Sequence, residues 1–329
     1  MPKKLKTLNT AIVGTGLIGG KRADAMLEIP QYKLISACDV DADSLKKFCE
    51  IYHCAGSSME DIIGDEKIDL VILAINHEEA ARLAPQILKY KDLILEKPVG
   101  RNLKETKAII SAANKYKHRI FAGFNYPFYP HIAKAKMMIK KGTLGKIISS
   151  TFTIGHGAQP NYEKSWKMDK NLCGGGVIID PGIHMIDLLE QLIGTPGKYT
   201  FVKNSLGWNT EVEDEAVIIF NYPDSSFSIH HYSLNLSKNT LFVEIVGTKG
   251  TLRLNGRGGN YGDMTINFTP KWHWLDNKEI YEENFGKVDN SFIEELRYIG
   301  KMIDSSKTPD YSLYLSSMKI VDKIYKNLL

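Results

Sequence analysis

The stretch Gly14-Thr-Gly-Leu-Ile-Gly19 constrains this chain more than any other. It follows the short apolar run Ala11-Ile12-Val13 and precedes a segment able to form a helix. Its glycines have the spacing G-x-G-x-x-G. At the first, Gly14, a strand can turn tightly into a helix. At Gly16 the missing Cβ lets a pyrophosphate approach the backbone. At Gly19 the helix can pack against its own strand. The N–H groups and dipole at the helix start, including those of Leu17 and Ile18, then favour phosphate charge. Glycine-rich turns are common, and a plain strand–helix turn can show the same letters, so the flanking pattern has to decide.

That pattern is a repeat of short strands and helices over the first 125 residues. Strands are expected at 10–13, 33–38, 70–75, 93–95 and 120–123, rich in Val, Ile and Leu with little polar alternation. Parallel strands covered on both faces read this way. Helices are expected between them at 19–29, 42–52, 59–63, 78–90 and 103–117, with Asp41 and Ser58 as N-caps. The alternation predicts a doubly wound parallel sheet with right-handed crossovers.

In such a sheet ligands bind beyond the carboxyl ends of the strands. Asp39 closes the second strand, about 25 residues after Gly14, where the fingerprint places an acid for the adenosine ribose hydroxyls. Asp41 follows and no Arg lies beside the pair, so a 2′-phosphate would meet two carboxylates. This favours NAD over NADP. The strand at 70–75 leads through the small Ala74 to Asn76 and His77. Asn76 reads equally as a group beside the nicotinamide and as the cap of the next helix. The following strand ends in Glu96-Lys97-Pro98, in the same region of the sheet. Pro98 fixes the chain after Lys97, and a cis bond there would hold the lysine in one place.

A chain of 329 residues exceeds what one core usually serves, and two domains are expected, 1–125 and 126–329. The junction is the aromatic, proline-rich run Phe124-Asn-Tyr-Pro-Phe-Tyr-Pro130. A helix at 131–141 follows. Longer, alternating strands are then expected at 146–154, 199–206, 215–222, 226–234, 240–246 and 251–254, forming a large, open, mostly antiparallel sheet. Two amphipathic helices, 288–305 and 312–328, close the chain.

With a net charge of +4 and scattered basic residues, neither nucleic acid nor a membrane surface is an expected partner. The run Lys3, Lys4 and Lys6 reads as a solvated tail. No apolar run is long enough to span a bilayer, and no signal-peptide core is expected. Cys38, Cys49, Cys54 and Cys173 contain no C-x-x-C pair. Cys49, His53 and Cys54 lack a second ligand pair, so free thiols in a reduced cytoplasmic protein are expected, and no metal.

The second domain contains Gly174-Gly-Gly-Val-Ile-Ile-Asp-Pro-Gly-Ile-His-Met-Ile-Asp187. If it is helical throughout, Asp180, His184 and Asp187 share one face, which suits proton transfer to or from a hydroxyl. Asp180 also reads as an N-cap with Pro181 at the first helical position, and His184 as a core histidine.

Taken together, the glycine motif, Asp39, Asn76-His77, Glu96-Lys97-Pro98, Gly123-Phe-Asn125 and the Asp180–His184–Asp187 run resemble the Gfo/Idh/MocA oxidoreductases over nearly the whole chain. The resemblance implies a Rossmann domain joined to an α/β domain whose open sheet supplies the substrate site and often an oligomer interface, as a homodimer or homotetramer. It implies Lys97 beside substrate and nicotinamide, His184 as general acid/base and Asp180 as the substrate-orienting carboxylate. It implies cofactor contacts at Ala74, Asn76, His77, Glu96, Lys97 and Asn125, and a cis Lys97–Pro98 bond. His156-Gly157, Tyr162, Trp166, Gly174–Gly176 and Gly258–Gly262 resemble members linked to sugar-nucleotide and polysaccharide metabolism, which adds His156 and Trp166 to the substrate side. The activity implied is NAD-dependent hydride transfer at a sugar, cyclitol or nucleotide-sugar hydroxyl. Two other readings fit the same letters: an NAD-dependent glycosidase of this family, and a non-enzymatic NAD-binding sensor or scaffold.

Overall fold

The computed structural model describes residues 6–326. Lys3, Lys4 and the residues after Lys326 lie outside it. The chain divides into two compact units. One runs to Asn125 and takes in Phe292–Met318; the other comprises Tyr126–Ser291 and the chain from Lys319 onward.

In the first unit, β1 (Leu8–Val13), β2 (Tyr32–Cys38), β3 (Ala55–Gly56), β4 (Leu70–Leu73), β5 (Asp92–Glu96) and β6 (Ile120–Gly123) form one sheet, ordered β3-β2-β1-β4-β5-β6. Every pairing is parallel. The helices α1 (Leu17–Leu27), α2 (Ala42–Tyr52), α3 (Met59–Gly64), α4 (His77–Ile87) and α5 (Leu103–Tyr116) make the crossovers. All four residues of β4 are buried, as the unbroken Leu-Val-Ile-Leu run requires. The helix starts are chemically marked. Asp41 accepts from the Ser44 N–H, Ser58 and Asp61 form a capping box, and Asn102 accepts from the Glu105 N–H. Strand order reverses at β1, whose neighbours are β2 and β4, so the carboxyl ends of β1 and β4 open a crevice.

The second unit is built on an eight-stranded sheet. Its strands are β7 (Ile147–Gly155), β8 (Lys198–Asn204), β9 (Glu215–Asn221), β10 (Phe227–Ser233), β11 (Thr240–Gly247), β12 (Gly250–Asn255), β13 (Thr265–Pro270) and β14 (Tyr281–Asn284). Their order is β14-β13-β12-β11-β7-β10-β9-β8, antiparallel except for β10 beside β7. Burial alternates along β9 and β11, so one face is covered and the other open. The helices are α6 (Pro130–Lys140), the short α7 (Lys170–Cys173), α8 (Gly182–Leu192) and the short α9 (His273–Asp276). Nearly all of α8 is buried, and it packs on β7 and α6.

Three features differ from the sequence reading. β13 and β14 extend the sheet; β13 alternates only twice, at Ile266 and Phe268 with Ile266 alone buried, and β14 is polar and half-exposed, so neither shows a long apolar alternation. α10 (Ser291–Asp304), and α11 (Ser312–Tyr325) as far as Met318, group with the first unit rather than with residues 126–291. Leu296 and Ile299 of α10 join the core of Leu8, Met26, Ile29 and Tyr32, and the Tyr32 hydroxyl donates to the Leu296 carbonyl at 2.7 Å. An amphipathic pattern shows that a helix has an apolar face, not which unit covers it.

Candidate active site

The glycine motif sits in the β1–α1 turn. Gly14 has φ +95°, and a Cβ there would run into the Ala74 carbonyl; a Cβ at Gly19 would run into the Gly14 carbonyl. Gly16 meets nothing within 4 Å and lies open at the start of α1, beside the exposed Leu17 and the half-buried Ile18. Two glycines therefore close the turn and the third leaves a cradle that a side chain would fill. The pyrophosphate of a dinucleotide fits such a cradle: free N–H groups, the positive helix end, and no Cβ in the way.

Asp39 is tied to this turn. Its Oδ2 accepts from the Thr15 N–H at 2.6 Å and the Thr15 hydroxyl at 2.8 Å, and its Oδ1 from the Asp41 N–H at 3.0 Å. Burial pushes its carboxyl up, but the Asp41 and Thr15 donors outweigh this and hold it below the usual carboxylate range. The acid is thus ionised, and its position is fixed to the turn rather than to its own strand. Asn76 caps α4, accepting from the Glu79 N–H at 3.0 Å, and His77 is buried in the first helical turn. Capping occupies the Asn76 carbonyl oxygen.

Glu96 ends β5 and Lys97 follows, half-buried, with a cis Lys97–Pro98 peptide. Arg22, fully buried on α1, holds Glu96 Oε1 at 2.6 Å and also pairs with Glu295 of α10. Gly123 ends β6 at the point where a Cβ would press on Arg22 Nη2 and Glu96 Oε2, both at 2.8 Å. Asn125, two residues on, is buried. Sequence reading missed Arg22 because it stands beside Lys21 and Asp24 in a helix that looks solvent-facing. Gly123 next to the Glu96 strand end was the available clue.

The second unit carries the other group of residues. α8 begins at Gly182, and a cis Asp180–Pro181 peptide precedes it. Asp180 is therefore neither an N-cap nor part of a helical face with His184 and Asp187, as the spacing predicted. The Asp-Pro-Gly sequence permits both geometries; Gly182, whose Cβ would strike the Tyr232 ring, sets the helix start close against β10. His184 lies on α8, buried, with its imidazole stacked flat on the Tyr126 ring: 3.9 Å between centroids and 4° between planes. Asp187 is buried one turn on and accepts from Gln191 Nε2 at 2.9 Å, a bond within the helix.

Asp180 pairs with Lys167 at 2.7 Å. The Asp180 carboxylate holds the Lys167 ammonium above the ordinary lysine range against the cost of burial. His156 accepts from the Ala158 N–H at Nδ1 and faces the edge of Tyr162. Burial, then Lys167 and Arg257, push the His156 imidazole below its ordinary value, so it is neutral near pH 7. Trp166 lies under Lys167, whose Nζ is 5.9 Å from the ring centroid. Burial pushes the Tyr162 hydroxyl up to about 12 and that of Tyr126 higher still. The second unit thus collects His156, Tyr162, Lys167, Asp180, His184, Tyr126 and Arg257 in one polar, aromatic cluster. Sequence reading missed Lys167 and Arg257. The triple glycine, by contrast, is a packing feature: a Cβ at Gly175 would strike Tyr325, and one at Gly176 the Glu213 carbonyl.

Comparison with known proteins is consistent across both units. Residues 8–124 match the model described as "Oxidoreductase family, NAD-binding Rossmann fold", and residues 132–253 the GFO/IDH/MocA C-terminal domain. Myo-inositol 2-dehydrogenase of Thermotoga maritima is 23% identical over 318 residues, 93% of this chain and 91% of that one. Levoglucosan dehydrogenase of Pseudarthrobacter phenanthrenivorans is 28% identical over 205 residues, 58% of this chain and 52% of that one. Among solved structures, a levoglucosan dehydrogenase in complex with NADH superposes with a TM-score of 0.86 at 20% identity, over 98% of this chain and 97% of the other, a likeness of fold. Among the described residues no helix is long and apolar enough to cross a membrane. The chain belongs to the Gfo/Idh/MocA family of NAD(P)-binding oxidoreductases.

Proposed function

We propose that this protein is an NAD-dependent dehydrogenase that moves a hydride between the CH–OH carbon of a sugar, cyclitol or nucleotide sugar and the nicotinamide. The observation that carries the reading is the flat stacking of His184 on Tyr126 in the unit that also holds the Lys167–Asp180 pair. A fixed imidazole in the same unit as a lysine-paired carboxylate suits removal of a hydroxyl proton. Relatives named for action on levoglucosan and myo-inositol support the substrate class. Asp39 and Asp41, with no arginine beside them, favour NAD, since a 2′-phosphate would meet negative charge.

When bound, the nicotinamide accepts or returns the hydride. The chain's own residues do the rest. His184 takes the proton of the reacting hydroxyl. Asp180, held by Lys167, orients that hydroxyl. Lys97 offers positive charge to the developing alkoxide. Glycines 14, 16 and 19 and Asp39 bind the pyrophosphate and adenosine ribose, with Leu17, Ile18, Ala74, Asn76, His77, Glu96 and Asn125 as further contacts. Acid–base assistance of this kind contributes about 10²–10⁴-fold. Assembly as a homodimer or homotetramer through the open face of the eight-stranded sheet is part of the same proposal; Val202, Val217, Ile219 and Phe227 are exposed on its strands.

The test is nicotinamide absorbance with NAD or NADP and a panel of free sugars, inositols and nucleotide sugars, beside Lys97→Ala and His184→Ala. Reduction of NAD by one substrate, lost in both variants, is the expected result. Release of a sugar with no net cofactor change would replace this reading with the glycosidase. Cofactor binding with neither activity would replace it with the sensor.

A further inference from the structure

Arg257 is the cation of the second unit's cluster that the proposed reaction does not use. It follows β12 in the turn Gly256-Arg-Gly-Gly-Asn-Tyr-Gly262. Gly256, Gly258, Gly259 and Gly262 all have positive φ, from +53° to +81°. The Gly258 N–H donates to the Gly262 carbonyl at 3.0 Å, and the Gly259 N–H to the Lys287 carbonyl at 3.0 Å. The backbone on either side of Arg257 is therefore fixed by glycine geometry that other residues adopt only under strain.

The guanidinium lies 3.8 Å over the Tyr261 ring and 5.6 Å from the Tyr126 ring. Tyr126 carries His184 on its face. Arg257 is thus one aromatic ring removed from the imidazole assigned to the reacting hydroxyl. Its Nε is buried without a hydrogen-bond partner, while the residue as a whole is only half-buried. Among the described residues no carboxylate lies within 4.0 Å of its guanidinium. The other cation of the cluster, Lys167, has a carboxylate partner in Asp180 at 2.7 Å. Arg257 is instead held by tyrosines, with Tyr261 under it and the Tyr129 and Tyr261 hydroxyls as hydrogen-bond partners. Stacking on tyrosine returns only part of what a guanidinium loses on leaving water.

We propose that Arg257 is a specificity-determining residue that binds an oxyanion, a carboxylate or a phosphate, carried by the substrate whose hydroxyl reacts at His184. This rests on the dehydrogenase reading and narrows it from sugars at large to acidic or phosphorylated ones. The planar fork of Arg suits either group through paired hydrogen bonds, and a lysine would not reproduce it.

The test is calorimetric binding of D-glucose, D-glucuronate and D-glucose 6-phosphate to the full chain with saturating NAD. Wild type, Arg257→Met and Arg257→Lys are compared, and nicotinamide absorbance is followed in parallel. The expected result is that one charged probe binds wild type about tenfold or more tighter than glucose. The two charged probes separate carboxylate from phosphate. Arg257→Met abolishes that preference without weakening glucose, and Arg257→Lys, which keeps the charge in place if the methionine variant fails to fold, retains only part of it. Equal binding of charged and neutral probes by wild type, no binding of either charged probe, or an unchanged preference in Arg257→Met would each overturn the inference. Turnover of a neutral sugar in preference to both charged probes, with the same preference in Arg257→Met, would sink the inference and spare the dehydrogenase. A charged-probe preference lost in Arg257→Met, with no cofactor reduction by any probe, would establish the anion site and sink the dehydrogenase.

Discussion

Arg22 of α1 holds Glu96 of β5 through both Nε and Nη2, at 2.7 and 2.6 Å, inside the first unit. The pair joins the helix that begins at the glycine cradle to the strand that ends beside Lys97. The same guanidinium takes Glu295 of α10, so one cation anchors two carboxylates from separate elements.

Removing that cation should be severe. Arg22→Met leaves Glu96 and Glu295 facing each other without a counter-charge, and breaking a buried ion pair from one side costs about 3–5 kcal/mol. Thermal unfolding is expected to show a large drop in Tm. Cofactor affinity should fall with it, because Glu96 and the start of α1 lose their common anchor. A drop of only a few degrees with unchanged NAD affinity would show that Arg22 anchors neither element.

Glu295 makes stability depend on pH in an unusual sense. Burial pushes its carboxyl up from 4.5 to about 7, with Arg22 pulling down and Glu96 pushing up. Its Oε1 is buried without a hydrogen-bond partner, which suits a carboxyl that holds a proton. Between pH 4.5 and 7 the folded chain keeps a proton that the unfolded chain has released. This group's stabilisation is therefore fully present below 4.5 and is lost as pH rises through 7, with a slope of at most about 1.4 kcal/mol per pH unit. Glu295→Gln lacks the titration. Denaturant melts should show wild type losing ground to Glu295→Gln from pH 5 to pH 8; parallel curves would place the Glu295 pKa near its ordinary value.

Asp39 has two tasks that one substitution can separate by cofactor. It holds the Thr15 N–H of the glycine turn, and it presents a carboxylate at the end of β2. Asp39→Ala should raise the KM for NAD about 10–100-fold, as expected for one or two lost charge-assisted hydrogen bonds. The KM for NADP should rise far less, or fall, because the repulsion of a 2′-phosphate disappears as well. Equal losses for both cofactors would mean that Asp39 serves the turn alone.

The first unit was the legible part of this chain, for a physical reason. In Leu70–Leu73, in the capped start of α2 and in Gly14–Gly19, apolar pattern, cap chemistry and turn glycines point to the same structure over a few residues. The site residues that escaped depend on partners far along the chain. Lys167 sits in a stretch of short helical turns with no periodicity, and only folding brings it 2.7 Å from Asp180. Arg257 resembles any charged residue of a glycine-rich turn until Tyr126 and Tyr261 are seen around it. Arg22 reads as a solvated helix residue because its two carboxylates come from β5 and from α10, the latter more than 250 residues away. Asp180 was found, but in the wrong geometry: the same three letters, Asp-Pro-Gly, begin a helix at Pro181 or, as here, one residue later after a cis bond.

Lys167 offers a decisive substitution in the second unit. The Asp180 side chain is only 8% exposed, and the Lys167 ammonium lies 2.7 Å from it. Lys167→Met removes the ammonium that holds the Asp180 carboxylate at 2.7 Å, so the carboxylate is expected to move from the position in which it would orient a substrate hydroxyl. The expected outcome is a fall in kcat/KM of about 10–100-fold, within what misplacing a reacting group produces. The loss should appear in kcat/KM with Tm and NAD affinity little changed, a split that a merely destabilised enzyme would not give. Lys167→Arg, which preserves the charge, should keep most of the activity. If Lys167→Met turns over at the full wild-type rate, Lys167 does not position Asp180 for the substrate, and the role assigned to the pair falls.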